Sequence, residues 1–215
     1  MKTCATLLIA ILVWFSWTAD AVSQTGHGCD CPVNERTTQI FTVCYGGQEC
    51  DVSVTYCNKR FNPASATVTC SGVNNLVDMY TTIYKICPVE DGCSFICDWQ
   101  LMVDAVMCEM NPLGGDRFNV KSQIPDCGSQ QVAWCWVIAT PRCMSRINQE
   151  LCLKSCTNEC CIKNFAFCKD PVNGTYNGWL SGDCSAGTEP CDEHKCVLCD
   201  IMCHSWDPMY CPTCN

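Results

Sequence analysis

Charge is scarce in this 215-residue chain, and what there is leans one way. Only 16% of residues are charged, with 13 lysines and arginines against 22 aspartates and glutamates. A formal net charge of −9 argues against nucleic acid as a partner, because proteins that grip phosphate backbones carry clustered basic surface. Histidine is scarcer still: His27, His194 and His204 are the whole supply. There is no Gly-x-Ser-x-Gly elbow, no His-Glu-x-x-His and no phosphate-cradling glycine loop. Asp192, Glu193 and His194 lie side by side and read as an acidic surface turn. These absences lead us to expect no catalysis and no cofactor.

Long apolar runs are missing too, apart from one near the start. Met1-Lys2-Thr3-Cys4 is followed by Ala5 through Phe15, an apolar core shorter than the roughly 20 residues of a membrane helix. One positive charge, that core and the small-residue stretch Ala19-Asp20-Ala21 make the three-part pattern of a secretory signal peptide spanning 1–21. The expectation is a secreted, extracellular protein with no membrane span.

Cysteine is what the chain has in abundance, with 26 residues. Once Cys4 leaves with the signal, cysteine makes up about 13% of the remainder, above the level at which a secreted chain reads as a disulfide scaffold. About 12 bridges follow from that number if nearly all pair. The 25 remaining cysteines are an odd set, so one thiol is left for a disulfide-linked homodimer, a cross-linked partner or a buried free position.

Residues 109–131, rich in turn signals such as Asn111-Pro112 and Gly114-Gly115, mark the clearest break. The expected organisation is an N-terminal cysteine-rich module over 22–110, a linker over 111–131, and a mostly helical cysteine-rich module with an acidic tail over 132–215. In the first module, two β-rich runs flank Gly46-Gly47, and Val52, Val54 and Tyr56 alternate with polar residues, which predicts a hairpin. Cys93, Cys97, Leu101 and Cys108 fall within about 80° of one helical face, which predicts a helix ending at Asn111-Pro112. In the second module Cys152, Cys156 and Cys160 recur every four residues, Cys161 points elsewhere, and Thr140-Pro141 suits a helix start. Cys196, Cys199 and Cys203 also share a helical face. The expected fold class is therefore small disulfide-rich α+β, with short helices and a β-hairpin cross-linked by the bridges.

The run Cys160-Cys161-Ile162-Lys163-Asn164-Phe165-Ala166-Phe167-Cys168 superficially resembles the Cys-Cys-x-x-His-x-x-Cys segment of secreted phospholipases A2. Asn164 stands where the histidine belongs, and Cys168 comes one residue late. An amide cannot serve as the general base that activates water, so the resemblance implies no such activity. Cys196-x-x-Cys199 and Cys211-x-x-Cys214 imitate zinc or redox pairs. Thiolate chemistry needs reduced cysteine, which secretion works against, and structural bridging is the expectation.

Three features remain. Asn173-Gly174-Thr175 is a glycosylation sequon in a turn-rich stretch. Residues 132–139, "VAWCWVIA", are apolar on both faces, which predicts a buried strand, with an exposed Trp134/Trp136 binding patch as the functional alternative. Charge is also uneven: residues 142–169 carry five bases and two acids, and residues 170–215 carry seven acids and one lysine. Together these point to a secreted, non-enzymatic interaction protein, such as an effector or toxin-like ligand for a receptor, channel or other extracellular protein. The alternative is a structural component of a matrix, coat or adhesive cross-linked by disulfides.

Overall fold

The computed structural model describes residues 31–60, 77–89, 93, 99–128, 133–141, 143–147, 150–155, 160–181, 185–186 and 198–200. The chain first doubles back on itself through the expected hairpin, β1 (Thr37–Tyr45) and β2 (Gln48–Arg60). Gly46 and Gly47 make its two-residue loop with φ of +59° and +79°. Two consecutive positive φ values define the turn whose twist matches paired strands, and glycine reaches them without steric cost.

β3 (Met79–Pro88) runs antiparallel to β2 along its whole length, with an irregularity at Thr55/Tyr56. The opposite side of β3 is divided between two neighbours. Met79–Thr82 pair in parallel with β4 (Trp134–Pro141), whereas Lys85 and Ile86 pair antiparallel with β6 (Glu150–Ser155). The sheet therefore forks at β3. One branch continues from β4 to β7 (Cys160–Lys169), which carries both β8 (Tyr176–Leu180) and the short β9 (Ser185–Ala186). The other continues from β6 to β5 (Cys143–Ile147) and β10 (Leu198–Asp200). Among the described residues ten strands form this one sheet.

Helix α1 (Trp99–Met110) supplies the crossover that a parallel β3–β4 pair requires. Its buried residues Met102, Val103, Ala105, Val106, Met107 and Met110 form a broad apolar stripe. They meet Phe41 and Val43 of β1, Val52 and Val54 of β2, Ile83 of β3, Trp134 and Trp136 of β4, and Phe165 and Phe167 of β7. Each large side chain so buried contributes about 1.5–3 kcal/mol relative to exposure. A smaller cluster on the opposite face gathers Val77, Tyr80, Cys135, Val137, Ala139 and Cys160. All eight residues of β4 are buried, because alternate residues feed alternate clusters.

The helix stops where the sequence says it should. Pro112 has no N–H to continue the ladder, and the Asn111 Oδ1 accepts the Leu113 N–H at 3.0 Å. Gly115 N–H and Arg117 N–H then donate to the Cys108 and Glu109 carbonyls, closing the last turn. A Cβ on Gly115 would sit 2.7 Å from the Glu109 carbonyl oxygen, so this return needs glycine. Residues 111–128, read from sequence as a linker, run as a strap over the core, with Val120 and Ile124 buried in it. The Asp116 carboxylate accepts the N–H groups of Val120 and Lys121, and the strap ends on β7 through Cys127 N–H to Lys169 O and the Cys127–Cys168 bridge.

The expected fold class is corrected. The described chain is mostly β, with a single α-helix. The cysteines spaced every four residues lie on strands: Cys152 is in β6 and Cys160 and Cys161 open β7. Thr140-Pro141 ends β4 instead of starting a helix, and Cys199 lies in β10. A spacing of four keeps residues on one helical face, but it is also twice the strand period, so it cannot tell the two apart. The sheet also runs through both of the expected modules, and Cys87–Cys152 joins them covalently.

Candidate interaction surface

Among the described residues strand β1 is one edge of the forked sheet, and its register shows which backbone groups turn away from β2. A two-residue loop makes its flanking residues, Tyr45 and Gln48, a mutually hydrogen-bonded pair. Pairing alternates from there, so Val43, Phe41, Gln39 and Thr37 also bond to β2. Thr38, Ile40 and Thr42 then direct their backbone N–H and C=O groups away from β2. Side-chain contacts agree with this phase, because side chains approach more closely in the non-bonded pairs. The Thr38 and Thr55 hydroxyls share a hydrogen bond of 2.9 Å, and the Thr42 hydroxyl donates to Asp51 Oδ1 at 2.7 Å.

Among the described residues no strand pairs with this free side of β1. Thr37 through Ile40 and Thr42 are exposed, and Ile40 is 56% exposed although it is a large apolar residue. Protein edges are ordinarily protected by lysine, proline or a bulge. β1 has none of these, and no charged residue lies between Thr37 and Tyr45.

The edge is held rigid. Cys31–Cys57 ties the entry to β1 onto β2, with Cα atoms 5.6 Å apart. Arg36, just before the strand, donates from Nε to the Cys31 carbonyl at 2.6 Å and lies 3.7 Å over the Tyr84 ring. Cys50–Cys93 fixes the hairpin end, and Cys44 is itself disulfide-bonded. On the helix side, Tyr56 O–H donates to Gln39 Oε1 at 3.0 Å, and the Arg117 guanidinium lies over the Phe41 ring. Burial pushes the Tyr56 phenol above its ordinary pKa, with Arg117 opposing. Burial likewise raises the Glu109 carboxyl, which Arg117 counteracts and Glu49 reinforces. The result is a fixed hydrogen-bonding rail with a polar rim.

Trp134 and Trp136 are not surface groups: they are 4% and 0% exposed, and the Trp136 Nε1–H donates to the Thr81 hydroxyl at 2.9 Å. The strand reading of 132–139 holds, and the exposed patch is corrected, because β4 is the central strand between two apolar clusters. Asn173 is exposed at the β7–β8 loop, where its Nδ2 donates to Asp170 Oδ2 at 2.9 Å. The backbone N–H groups of Val172 and Asn173 hold the Asp170 carboxyl below its usual range.

Of the candidate disulfide residues, Cys93 bonds Cys50, Cys152 bonds Cys87, and Cys108, Cys160 and Cys161 are also disulfide-bonded. Cys97, Cys156, Cys196, Cys203, Cys211 and Cys214 lie outside the described residues, as do all three histidines and the signal segment. Among the described residues no group of three or more histidines, cysteines or acids is arranged to hold a metal. No described helix is long and apolar enough to cross a membrane.

Compared with protein-family models, characterised proteins and solved structures, the chain matches none. The surface is therefore read on its own chemistry. Sequence reasoning found the hairpin but not the edge, because which strand lies outermost depends on pairings far along the chain.

Proposed function

We propose that this chain is a secreted, non-enzymatic interaction protein whose binding element is the open edge of β1. The carrying observation is the uncharged run Thr37–Thr42, exposed except at Phe41, with the backbone groups of Thr38, Ile40 and Thr42 facing outward. Such an edge accepts an extended strand from a protein partner, with main-chain hydrogen bonds supplying affinity and alternate side chains supplying selectivity. Cross-links at both ends of the hairpin suit that role, since a preorganised edge loses little conformational freedom on binding. Secretion is supported by the pattern over 1–21 and by disulfide bonding of every cysteine whose side chain is described.

The test is expression of the full chain in a eukaryotic secretory host. A discrete soluble species in the medium, whose labelled form binds intact cells and is displaced by unlabelled protein, fits the proposal. Loss of that displaceable binding in Thr38→Pro would assign it to the edge, since proline there removes an outward N–H without breaking a β2 bond. Retention inside the cell, or an insoluble ladder that collapses on reduction, would instead favour a cross-linked matrix role.

A further inference from the structure

We propose that the strand accepted by the β1 edge is β1 of a second copy of this chain, paired antiparallel about a two-fold axis through Ile40. The inference rests on reading β1 as an interaction surface and names its partner. A two-fold antiparallel pair requires the strand to match its own reverse, because residue i meets j and j meets i. The outward-facing residues do so: Thr38, Ile40 and Thr42 read the same in both directions. In this register Ile40 meets Ile40 of the second copy, and Thr38 meets Thr42 of the second copy. All three pairs use backbone groups that β2 leaves free, giving about six interchain hydrogen bonds.

Charge fits the same register. Two copies of a chain with net charge −9 repel each other in general, yet β1 brings no charge to the seam. Asp51, one strand in from Thr42, comes level with Thr38 and Thr55 of the second copy rather than with another carboxylate. Arg36 comes level with Cys44 of the second copy and is turned inward onto Tyr84, so it brings no like charge against the seam. Meanwhile Ile40, 56% exposed in the single chain, is covered by its own counterpart. An arbitrary peptide would account for the open backbone groups, but not for the palindrome or for a register that opposes no like charges.

A single edge-to-edge seam buries less than the standard interface, so the association is weak and concentration-dependent. It is also non-covalent, which separates it from a bridge made by an odd cysteine. The experiment is sedimentation velocity on the intact, oxidised protein, from low to high micromolar concentration, with non-reducing electrophoresis alongside. The expected result is a reversible monomer–dimer equilibrium in a protein that migrates as a monomer on the gel. Ile40→Lys and Ile40→Glu place like charges on the axis and each weaken dimerisation at least about tenfold. Mixing the two variants restores a heterodimer, which also shows that both are folded.

A wild-type protein that stays monomeric throughout, or an Ile40→Lys variant that dimerises unchanged, overturns the proposal. So does a mixture of the two charge variants that fails to associate. If the protein is monomeric yet its displaceable cell binding is lost in Thr38→Pro, self-pairing fails while the edge remains an interaction surface. If that binding also survives Thr38→Pro, the edge reading fails as well.

Discussion

Replacing Cys87 and Cys152 together by alanine should release one wing of the sheet without unfolding the rest. Among the described residues the β6–β5–β10 branch joins β3 through two registered pairs, Lys85 with Lys154 and Ile86 with Leu153. The bridge beside this seam spans 65 residues of sequence. In the chain-entropy treatment a closed loop of that length stabilises by about 4 kcal/mol. Taken by itself, Cys127–Cys168 offers an alternative path that is barely shorter, which changes the figure by only about 0.1 kcal/mol. By contrast β1, β2, β4 and β7 keep the helix-covered core and their own bridges.

Hydrogen exchange read by mass spectrometry, with the remaining disulfides intact until the quench, is the assay. Amides in 143–155 should exchange about 1,000-fold faster in the double variant, the equivalent of about 4 kcal/mol of opening free energy. Amides of β1, β2, β4 and β7 should change little. Unchanged protection in 143–155 would refute the reasoning, and so would a uniform loss across the whole sheet.

Other outcomes are expected at the second cluster and at the β7–β8 loop. The Tyr80 hydroxyl is buried without a hydrogen-bond partner among the described residues, and burial pushes its pKa up to about 12. Tyr80→Phe should therefore be at least as stable as wild type, gaining up to about 1 kcal/mol in chemical denaturation; a loss larger than that would mean the hydroxyl is satisfied. Burial raises the Asp78 carboxyl, although its Oδ2 accepts the Cys135 N–H at 2.7 Å. A carboxyl with a raised folded pKa binds its proton more tightly when folded, so its contribution falls as pH rises from the unfolded value through the folded one. Asp78→Asn should lack that decline, so the stability difference between variant and wild type should grow in the variant's favour as pH rises through this range. A difference that stays flat with pH would contradict the assignment. Under the proposed secretion, protein made in a eukaryotic secretory host should carry glycosidase-sensitive mass that Asn173→Gln removes; a wild type without such mass, or a glycan that survives the substitution, would contradict use of this sequon.

The sequence made some of this fold legible and hid the rest for definite reasons. Gly46-Gly47 between alternating runs announced the hairpin, and Asn111-Pro112 announced the helix end. Two-sided apolarity in 132–139 announced a buried strand, although tryptophan invited a surface reading that only the covering helix dispels. Helices were expected around Cys152 and Cys160 because a four-residue repeat suits both periods. The better signal was the apolar alternation of Leu151 with Leu153 and of Phe165 with Phe167. Turn residues in 111–128 hid a strap that Val120 and Ile124 pin into the core. The interaction edge was the least legible feature, since being outermost is a property of the whole sheet.

The fork at β3 also bears on the order in which the chain can be completed. Strands β1, β2 and β3 are adjacent in sequence and pair as soon as they are made, but the far side of β3 waits for β4 and β6. At about 5–20 residues per second, the 65 residues from Cys87 to Cys152 take roughly 3–13 s to synthesise. During that interval Cys93, Cys97, Cys108, Cys127, Cys135 and Cys143 all emerge before the right partner does. Cys87 is thus the thiol most exposed to premature pairing among the four described bridges, and thiol–disulfide exchange would be the route back from such an error. A cell making this protein would need disulfide isomerase at this position more than at any other described bridge.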